Sequence, residues 1–159
     1  MEYRNNNYHG KQNNQSRSSS MQQEVINLPT DYLSSGYFIT DEGGNKALDD
    51  KLVLTFAKKI ANDLVSGKTK IAKSQLRKYY DFVVDIHDKL IRNRITTGEA
   101  VSEIKRLSGF AVSAVQKNKA PKLCEMFINT NLNAIHSKDD VVAFKKHFEA
   151  ITCFYPEIK

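Results

Sequence analysis

The chain has 159 residues and a net charge of +6 at pH 7, which suits one domain with a hydrophobic core and predicts attraction to a polyanion. No apolar run approaches the roughly 18 residues that a membrane span needs, and the N-terminus lacks an apolar secretory segment. Cys124 and Cys153 have no paired spacing and are expected to be small core residues in a reducing compartment. These features argue against membrane, secreted and disulfide-stapled classes, and they predict a soluble cytoplasmic protein.

Three stretches of different composition follow one another along the chain. Residues 1–24 are dominated by Asn, Gln and Ser with few apolar side chains, a composition that predicts a disordered polar tail. Residues 25–48 mix aromatic side chains with turn-forming Pro and Gly, and they predict an ordered aromatic arm that packs onto a helical body. Residues 49–156 carry the hydrophobic periodicity of a helical bundle domain.

Five apolar stripes with helical spacing run through the bundle domain. They predict helices over residues 53–64, 74–94, 96–115, 121–135 and 137–155. No segment shows convincing strand alternation. Because each helix can bury its stripe only against other helices, the sequence predicts an all-α fold, a small bundle of about five helices.

Side chains that can satisfy free backbone N–H groups precede three of these stripes. The expected caps are Ser74, Thr96 with Glu99, and Ser137 with Asp140. Gly109 lies inside the third predicted helix and is expected to weaken or bend it by ~1 kcal/mol relative to alanine.

The chain shows no residue pattern typical of an enzyme, such as a nucleophile with a base or ligands at metal-binding spacing. His87 lies on a core stripe, and His147 and Cys153 fall on different faces of one predicted helix. Three acidic residues have a basic residue four positions away, which favours surface ion pairs over a cation site: Asp81, Asp85 and Asp88. The sequence therefore predicts no catalytic residue, no metal site and no cofactor.

The positive charge is concentrated in the middle of the chain. Residues 68–122 contain 13 basic and 5 acidic residues, a net charge of +8. Five of the basic residues are expected to be free to meet phosphates: Lys73, Lys78, Arg94, Lys117 and Lys119. Four of them have no acid three or four positions away, and Asp81, three positions after Lys78, also has Arg77 four positions before it. A solvated helix face would show the same scatter. No base-reading motif is present, so the nucleic-acid hypothesis is one of backbone binding.

Three strings occur in an order that resembles a known family. They are LPTDYLSSGYFITDEGGN at 28–45, AKSQLRKYYDF at 72–82 and FKKHFEAITCFY at 144–155. Together they resemble the small subunit of the type III-A CRISPR-Cas effector, the Csm complex, over roughly residues 28–156. The resemblance implies a non-catalytic helical subunit that stacks in several copies as an inner filament along guide RNA and target RNA, with other Csm effector subunits as further partners.

The resemblance also implies which basic side chains contact RNA. Arg77 occupies the Arg of the Ser-Gln-x-Arg string and Lys78 the basic residue after it. Phe110 is a departure, because the family often has Arg four positions after this aromatic residue and this chain has Ala114. The full set of predicted RNA-binding residues is Lys73, Arg77, Lys78, Arg92, Arg94, Lys105, Arg106, Lys117, Lys119 and Lys122.

Two other functional classes stay open on the sequence alone. A helical adaptor or oligomerisation module that binds only protein would use its lysines for solubility, and it would show no salt-sensitive association with RNA. A hydrolase with an unrecognised site is disfavoured because nothing pairs a nucleophile with a base.

Overall fold

The structure, a computed structural model, describes residues 26–157. The predicted polar tail therefore lies outside the described residues. Within them the chain forms six α-helices: α1 (Thr55–Asp63), α2 (Lys73–Ile91), α3 (Thr97–Ile104), α4 (Leu107–Gln116), α5 (Lys122–Ala134) and α6 (Lys138–Phe154). The all-α class that the sequence predicts is confirmed. The boundaries between tail, arm and bundle at residues 24/25 and 48/49 stay a prediction.

The third predicted helix is two helices in the structure. The break lies at Lys105 and Arg106, where Arg106 N–H donates to the Glu103 carbonyl three residues back and Ser108 N–H donates to that of Lys105. The tighter turn re-aims the chain, so that α3 packs on α2 whereas α4 packs on α5. Gly109, where the sequence predicted weakness, lies inside α4 beyond the break. Two packing partners in different directions explain the break better than the glycine does.

The core surrounds α6, against which α1 and α2 both pack. Its centre is a group of aromatic rings in which Phe127 lies 5.3 Å from Phe148 and 6.2 Å from Phe144 between centroids. The apolar residues predicted on the inner faces of the last two helices are buried. Helical periodicity alone was sufficient for these two faces because both helices are amphipathic along their whole length.

Two of the three predicted helix caps are present. Thr96 and Glu99 form a capping box at the start of α3, and Ser137 and Asp140 form one at the start of α6. The prediction for Ser74 is wrong, because the cap position lies two residues earlier, at Ala72, and α2 has no side-chain cap.

The segment before α1 contains a small sheet that the sequence analysis missed. β1 (Phe38–Thr40) pairs antiparallel with β2 (Lys46–Leu48). Three-residue strands are too short to show alternation, and the connecting turn is held locally, since Asp41 Oδ1 accepts hydrogen bonds from the N–H groups of Gly43 and Asn45.

A buried hydrogen-bonded network fastens this N-terminal segment to the bundle. Asn131 Nδ2 donates to the Tyr32 hydroxyl at 2.8 Å, and its Oδ1 accepts from the Tyr37 hydroxyl at 2.9 Å. The Tyr32 hydroxyl in turn donates to His147 Nε2, whose other ring nitrogen donates to the Leu52 carbonyl. All five residues are buried. Because every polar atom has a partner, burying the network costs little in desolvation. The network also fixes the position of the N-terminal segment on the bundle.

Candidate nucleic-acid interface

One exposed face of α4 combines cations, a glycine and an aromatic ring. Five residues share this face because successive members are adjacent or lie three or four positions apart: Arg106, Gly109, Phe110, Ser113 and Lys117. Ser113 is half-buried and the other four are exposed. Residues 105–122 contain five basic residues and no acidic one. We call the five residues Arg106, Gly109, Phe110, Ser113 and Lys117 the α4 face. Both of its charged residues are cations.

The ring of Phe110 is held in place by two aromatic side chains of α2. It stacks on Tyr79 with an interplanar angle of 18° and makes a T-shaped contact with Phe82 at 5.4 Å between centroids. Tyr79 is fixed in turn, because its hydroxyl donates to the Phe110 carbonyl and accepts from Gln75 Nε2. Burial raises the pKa of Tyr79, which keeps the hydroxyl protonated as this donor. Phe110 is therefore an ordered ring, although it is 39% exposed.

Two of the predicted cations lie at the α2 side of this ring cluster. The Arg106 guanidinium lies 5.9 Å from the centroid of the Phe82 ring, and its Nη1 is 3.2 Å from Glu103 Oε2. Lys78 is exposed one turn before Phe82 on α2 and has no ion-pair partner among the described residues. The structure thus brings Lys78 and the α4 face, which includes Arg106, onto one side of the molecule.

The remaining predicted residues near α4 lie around its C-terminal end. Lys117 follows the helix as its C-cap, Lys119 is exposed in the next turn and Lys122 begins α5. Lys122 is paired with Glu125 at 2.8 Å, whereas neither of the other two has an ion-pair partner among residues 26–157. Asn118, with φ of 55°, ends the helix between the two lysines. Lys105, the C-cap of α3, is also exposed beside Arg106.

Lys73 and Arg77 lie elsewhere, on the edge of α2 that faces the end of α6. They line an open groove of about 640 Å³ together with Thr152, Cys153 and Tyr155. Arg77 Nε donates to Asp81 Oδ1 at 3.0 Å, and its guanidinium lies over the ring of Tyr80. The expectation that the charge of Lys73 is free is wrong, because Glu157, far away in sequence, lies 3.9 Å from its ammonium.

Arg92 and Arg94 are exposed at the opposite end of α2 from Arg77. Arg92 follows Arg77 by fifteen positions, which correspond to about 22 Å along the helix. Arg94 lines a shallow groove at the start of α3 that also contains Glu99 and Lys138. The predicted set therefore forms three separate groups, of which the one around α4 is the largest.

Sequence reasoning overlooked the contribution of Phe82 and Gly109 to the α4 face. Gly109 was considered only as a defect in a helix, although an added Cβ there would meet nothing within 4 Å, so the fold does not require a glycine. The absence of acids from residues 105–122 was the available signal. The contact between Phe82 and Phe110 joins two helices and could not be found from spacing along either one.

The acidic residues of α2 behave as ion-pair partners. Asp81 pairs with Arg77 and Asp85 with Lys89, as predicted, but Asp88 accepts a 3.0 Å hydrogen bond from His87 Nδ1 instead of pairing with Arg92. This hydrogen bond lowers the pKa of Asp88. Within residues 26–157 no group of three or more His, Cys, Asp or Glu side chains could hold a metal ion.

The two cysteines differ in environment. Cys124 is buried, and burial raises the pKa of its thiol to about 12, as suits an unreactive core residue. Cys153 is exposed at the groove near Arg77, so the expectation that it lies in the core is wrong. Its position on the outer side of α6 follows from the stripe of Phe144, Phe148 and Ile151, which faces inward.

The fold and this surface define a small helical subunit with a basic face. A sequence model of the Csm2 Type III-A family matches residues 47–156, more than half of the chain, and the chain belongs to that family. It is thus a small structural subunit of the type III-A CRISPR-Cas defence complex, whose other Csm subunits are its partners. A search of curated proteins and a search of solved structures each gave no match. In the part of the chain that the structure describes, no helix has the length and apolarity to cross a membrane.

Proposed function

We propose that this subunit binds the backbone of RNA without catalytic activity and stacks with further copies of itself as an inner filament along the guide-target duplex. The observation that carries the proposal is the group of cations at and around the α4 face, since residues 105–122 contain five basic residues and no acid. A subunit that serves any guide sequence must read charge and shape rather than bases, and dispersed Lys and Arg provide this. Assembly on guide RNA places the subunit in the cytoplasm.

Self-stacking requires protein contacts away from the RNA. A groove of about 640 Å³ between the start of α1 and the end of α6 supports such contacts, because it is lined by Leu54 and Phe154, which are 58% and 38% exposed. Exposed apolar side chains around a groove are typical of protein interfaces. Weak RNA binding by each copy is sufficient in a stack, since neighbouring copies add their contacts at high effective concentration.

The test measures the binding of guide-length RNA to the full-length chain at several salt concentrations. The double variant Lys117→Gln/Lys119→Gln removes two cations that have no ion-pair partner among the described residues. If both contact phosphates, the slope of log K against log salt becomes flatter by one to two units. The matched control Lys68→Gln/Lys70→Gln removes the same charge from two exposed lysines outside the predicted set and should keep the wild-type slope.

The alternative function, a helical adaptor that binds only protein, predicts a different result. It would give no salt-sensitive RNA association with the wild-type chain at any concentration, together with a stable oligomer or heteromer. Equal slopes for the two double variants would show that charge in general, and not the α4 face, is responsible. Turnover of RNA by the purified chain would contradict the non-catalytic part of the proposal.

A further inference from the structure

Gly109 is a glycine that the fold of this chain does not need. It lies in the interior of α4, where its φ is negative and an added Cβ would meet no atom within 4 Å. Glycine in a helix interior is less stable than alanine by roughly 0.5–1 kcal/mol because of the backbone entropy lost on folding. No close packing within this subunit offsets that loss of stability. The missing side chain does, however, allow another molecule to approach the helix backbone closely.

Phe110, the neighbour of Gly109, presents an aromatic ring on the same surface. It is 39% exposed, yet stacking on Tyr79 and the contact with Phe82 hold it in one position. Of the residues of α4, all of which the structure describes, it is the only large apolar side chain that is exposed. An ordered, exposed ring beside a bare stretch of helix is an arrangement that a flat ligand can use.

The charges around this ring favour a polyanion over a protein. Arg106 lies three residues before Gly109 and has Glu103 as an ion-pair partner at 3.2 Å. Lys117 lies seven residues after Phe110 on the same face, about 16 Å from Arg106 along the helix, and has no ion-pair partner among the described residues. Lys78 is exposed on α2 at the side of the ring cluster. A protein-docking patch would need a larger apolar area than one ring, whereas proteins that bind single-stranded nucleic acid combine stacking rings with flanking cations.

We propose that an unpaired RNA base stacks on Phe110 while the adjoining sugar-phosphate passes over Gly109, between Arg106 and Lys117. This inference rests on the proposed function, since it names how RNA meets the α4 face. It adds that the subunit distinguishes an unpaired nucleotide from a continuous duplex. Base pairs in a duplex keep their faces stacked on each other, so only a nucleotide outside the stack can lie on the ring.

The first experiment compares two RNAs, a fully paired guide-length duplex and the same duplex with one unpaired 2-aminopurine, bound by the full-length chain and by the reconstituted effector complex. Wild type should bind the second RNA more tightly and quench its fluorescence. Phe110→Ala should remove the quenching and weaken binding of that RNA by about tenfold, the scale of one lost base-aromatic contact. Phe110→Tyr, which keeps a ring, should retain both properties.

The second experiment uses two glycine variants, of which only one is expected to weaken RNA binding. Gly109→Ala should raise the melting temperature but weaken RNA binding, because the new methyl group obstructs the backbone of the ligand. Gly98→Ala is the matched control, since Gly98 lies in α3, where its Cβ would make only ordinary contact with Thr96 Oγ1 at 4.0 Å. It should raise the melting temperature and leave RNA binding unchanged.

The outcomes separate this inference from the proposed function. One outcome would overturn the inference alone. In it, Phe110→Ala and Gly109→Ala quench fluorescence and bind RNA as wild type does, while Lys117→Gln/Lys119→Gln still flattens the salt dependence. Absence of RNA binding by the wild-type complex would overturn both. If Phe110→Ala changed the sedimentation of the chain or its incorporation into the complex but not RNA binding, the ring would belong to a protein interface and the inference would also be wrong.

Discussion

His147 Nε2 accepts a 2.6 Å hydrogen bond from the hydroxyl of Tyr32, 115 residues earlier in the chain. The histidine is completely buried in α6, and the tyrosine belongs to the segment that precedes the first helix. Both ring nitrogens are in use, because Nδ1 donates to the Leu52 carbonyl. The histidine therefore holds the N-terminal segment against the bundle in its neutral form, with one nitrogen as acceptor and the other as donor.

The stability of the fold should depend on pH through His147. Burial lowers the pKa of His147 from 6.5 to about 4. The unfolded chain therefore binds the proton first, so stability is complete above pH 6.5 and is lost as pH falls toward 4, by on the order of 3 kcal/mol. Urea unfolding at pH 7 and pH 4.5 measures this loss.

The variant His147→Gln isolates this contribution from that of the carboxylates. It should be less stable than wild type at pH 7 but should lose less stability between pH 7 and pH 4.5. The control His136→Gln removes an exposed histidine and should keep the wild-type difference. If wild type and His147→Gln lost equal stability over this range, the neutral buried histidine would be refuted.

Tyr37 should stabilise the fold through its hydroxyl as well as its ring. The hydroxyl donates to Asn131 Oδ1, and both residues are buried. Tyr37→Phe leaves this amide oxygen buried without its donor, which should lower the free energy of unfolding by about 1–3 kcal/mol. Tyr80→Phe is the comparison. The Tyr80 hydroxyl lies beside Lys145, and the Lys145 ammonium would still have its ion pair with Glu149 after the hydroxyl is removed. A loss in Tyr37→Phe no larger than in Tyr80→Phe would contradict the role of the network.

The capping box of α3 should be worth measurable stability. Thr96 Oγ1 accepts from the N–H of Glu99, and the Glu99 carboxylate accepts from the N–H of Thr96, which lowers the pKa of Glu99. Thr96→Ala should lower the free energy of unfolding by about 1 kcal/mol, the usual cost of losing such a cap. Thr97→Ala, one residue later in the same turn, should have a smaller effect. Equal effects in thermal unfolding would show that the box contributes nothing.

Local pattern predicts the helices of this chain well and their junctions poorly. The inner faces of α5 and α6 follow from spacing alone, but the break at Lys105 and Arg106 follows from α3 and α4 packing on different helices. No periodicity indicates that choice of partner. The pairing of Tyr32 with His147 is similarly non-local, because each residue is an ordinary member of its own segment and acquires a role only when the segments meet.

The candidate site shows the same division. Sequence reasoning identified the cations, because charge and its local balance can be counted along the chain. It did not divide them into three groups, nor did it place Phe82 of α2 against Phe110 of α4, since both facts depend on how helices pack. Lys73 shows why local charge balance is not sufficient. Its partner Glu157 comes from the far end of the chain, so counting neighbouring charges could not identify the pair.

Arg77 and Lys78 should contribute unequally to RNA binding, although they are adjacent. Arg77 is engaged with Asp81 at 3.0 Å and lies over Tyr80, whereas Lys78 has no ion-pair partner among the described residues and lies on the side of α2 nearer the α4 face. A cation already beside a carboxylate gains less from a phosphate than one surrounded by water and counterions. Lys78→Gln should therefore flatten the salt dependence of RNA binding by up to one unit, and Arg77→Gln by less.

Asp81→Asn tests the reason for this inequality. Without the carboxylate, the Arg77 guanidinium should become available, so this variant should bind RNA more tightly than wild type and with a steeper salt dependence. Circular dichroism should show unchanged helicity in all three variants, because each change lies on the exposed face of α2. A larger effect of Arg77→Gln than of Lys78→Gln would instead indicate that the guanidinium leaves Asp81 when RNA binds, and that the groove between α2 and α6 belongs to the interface.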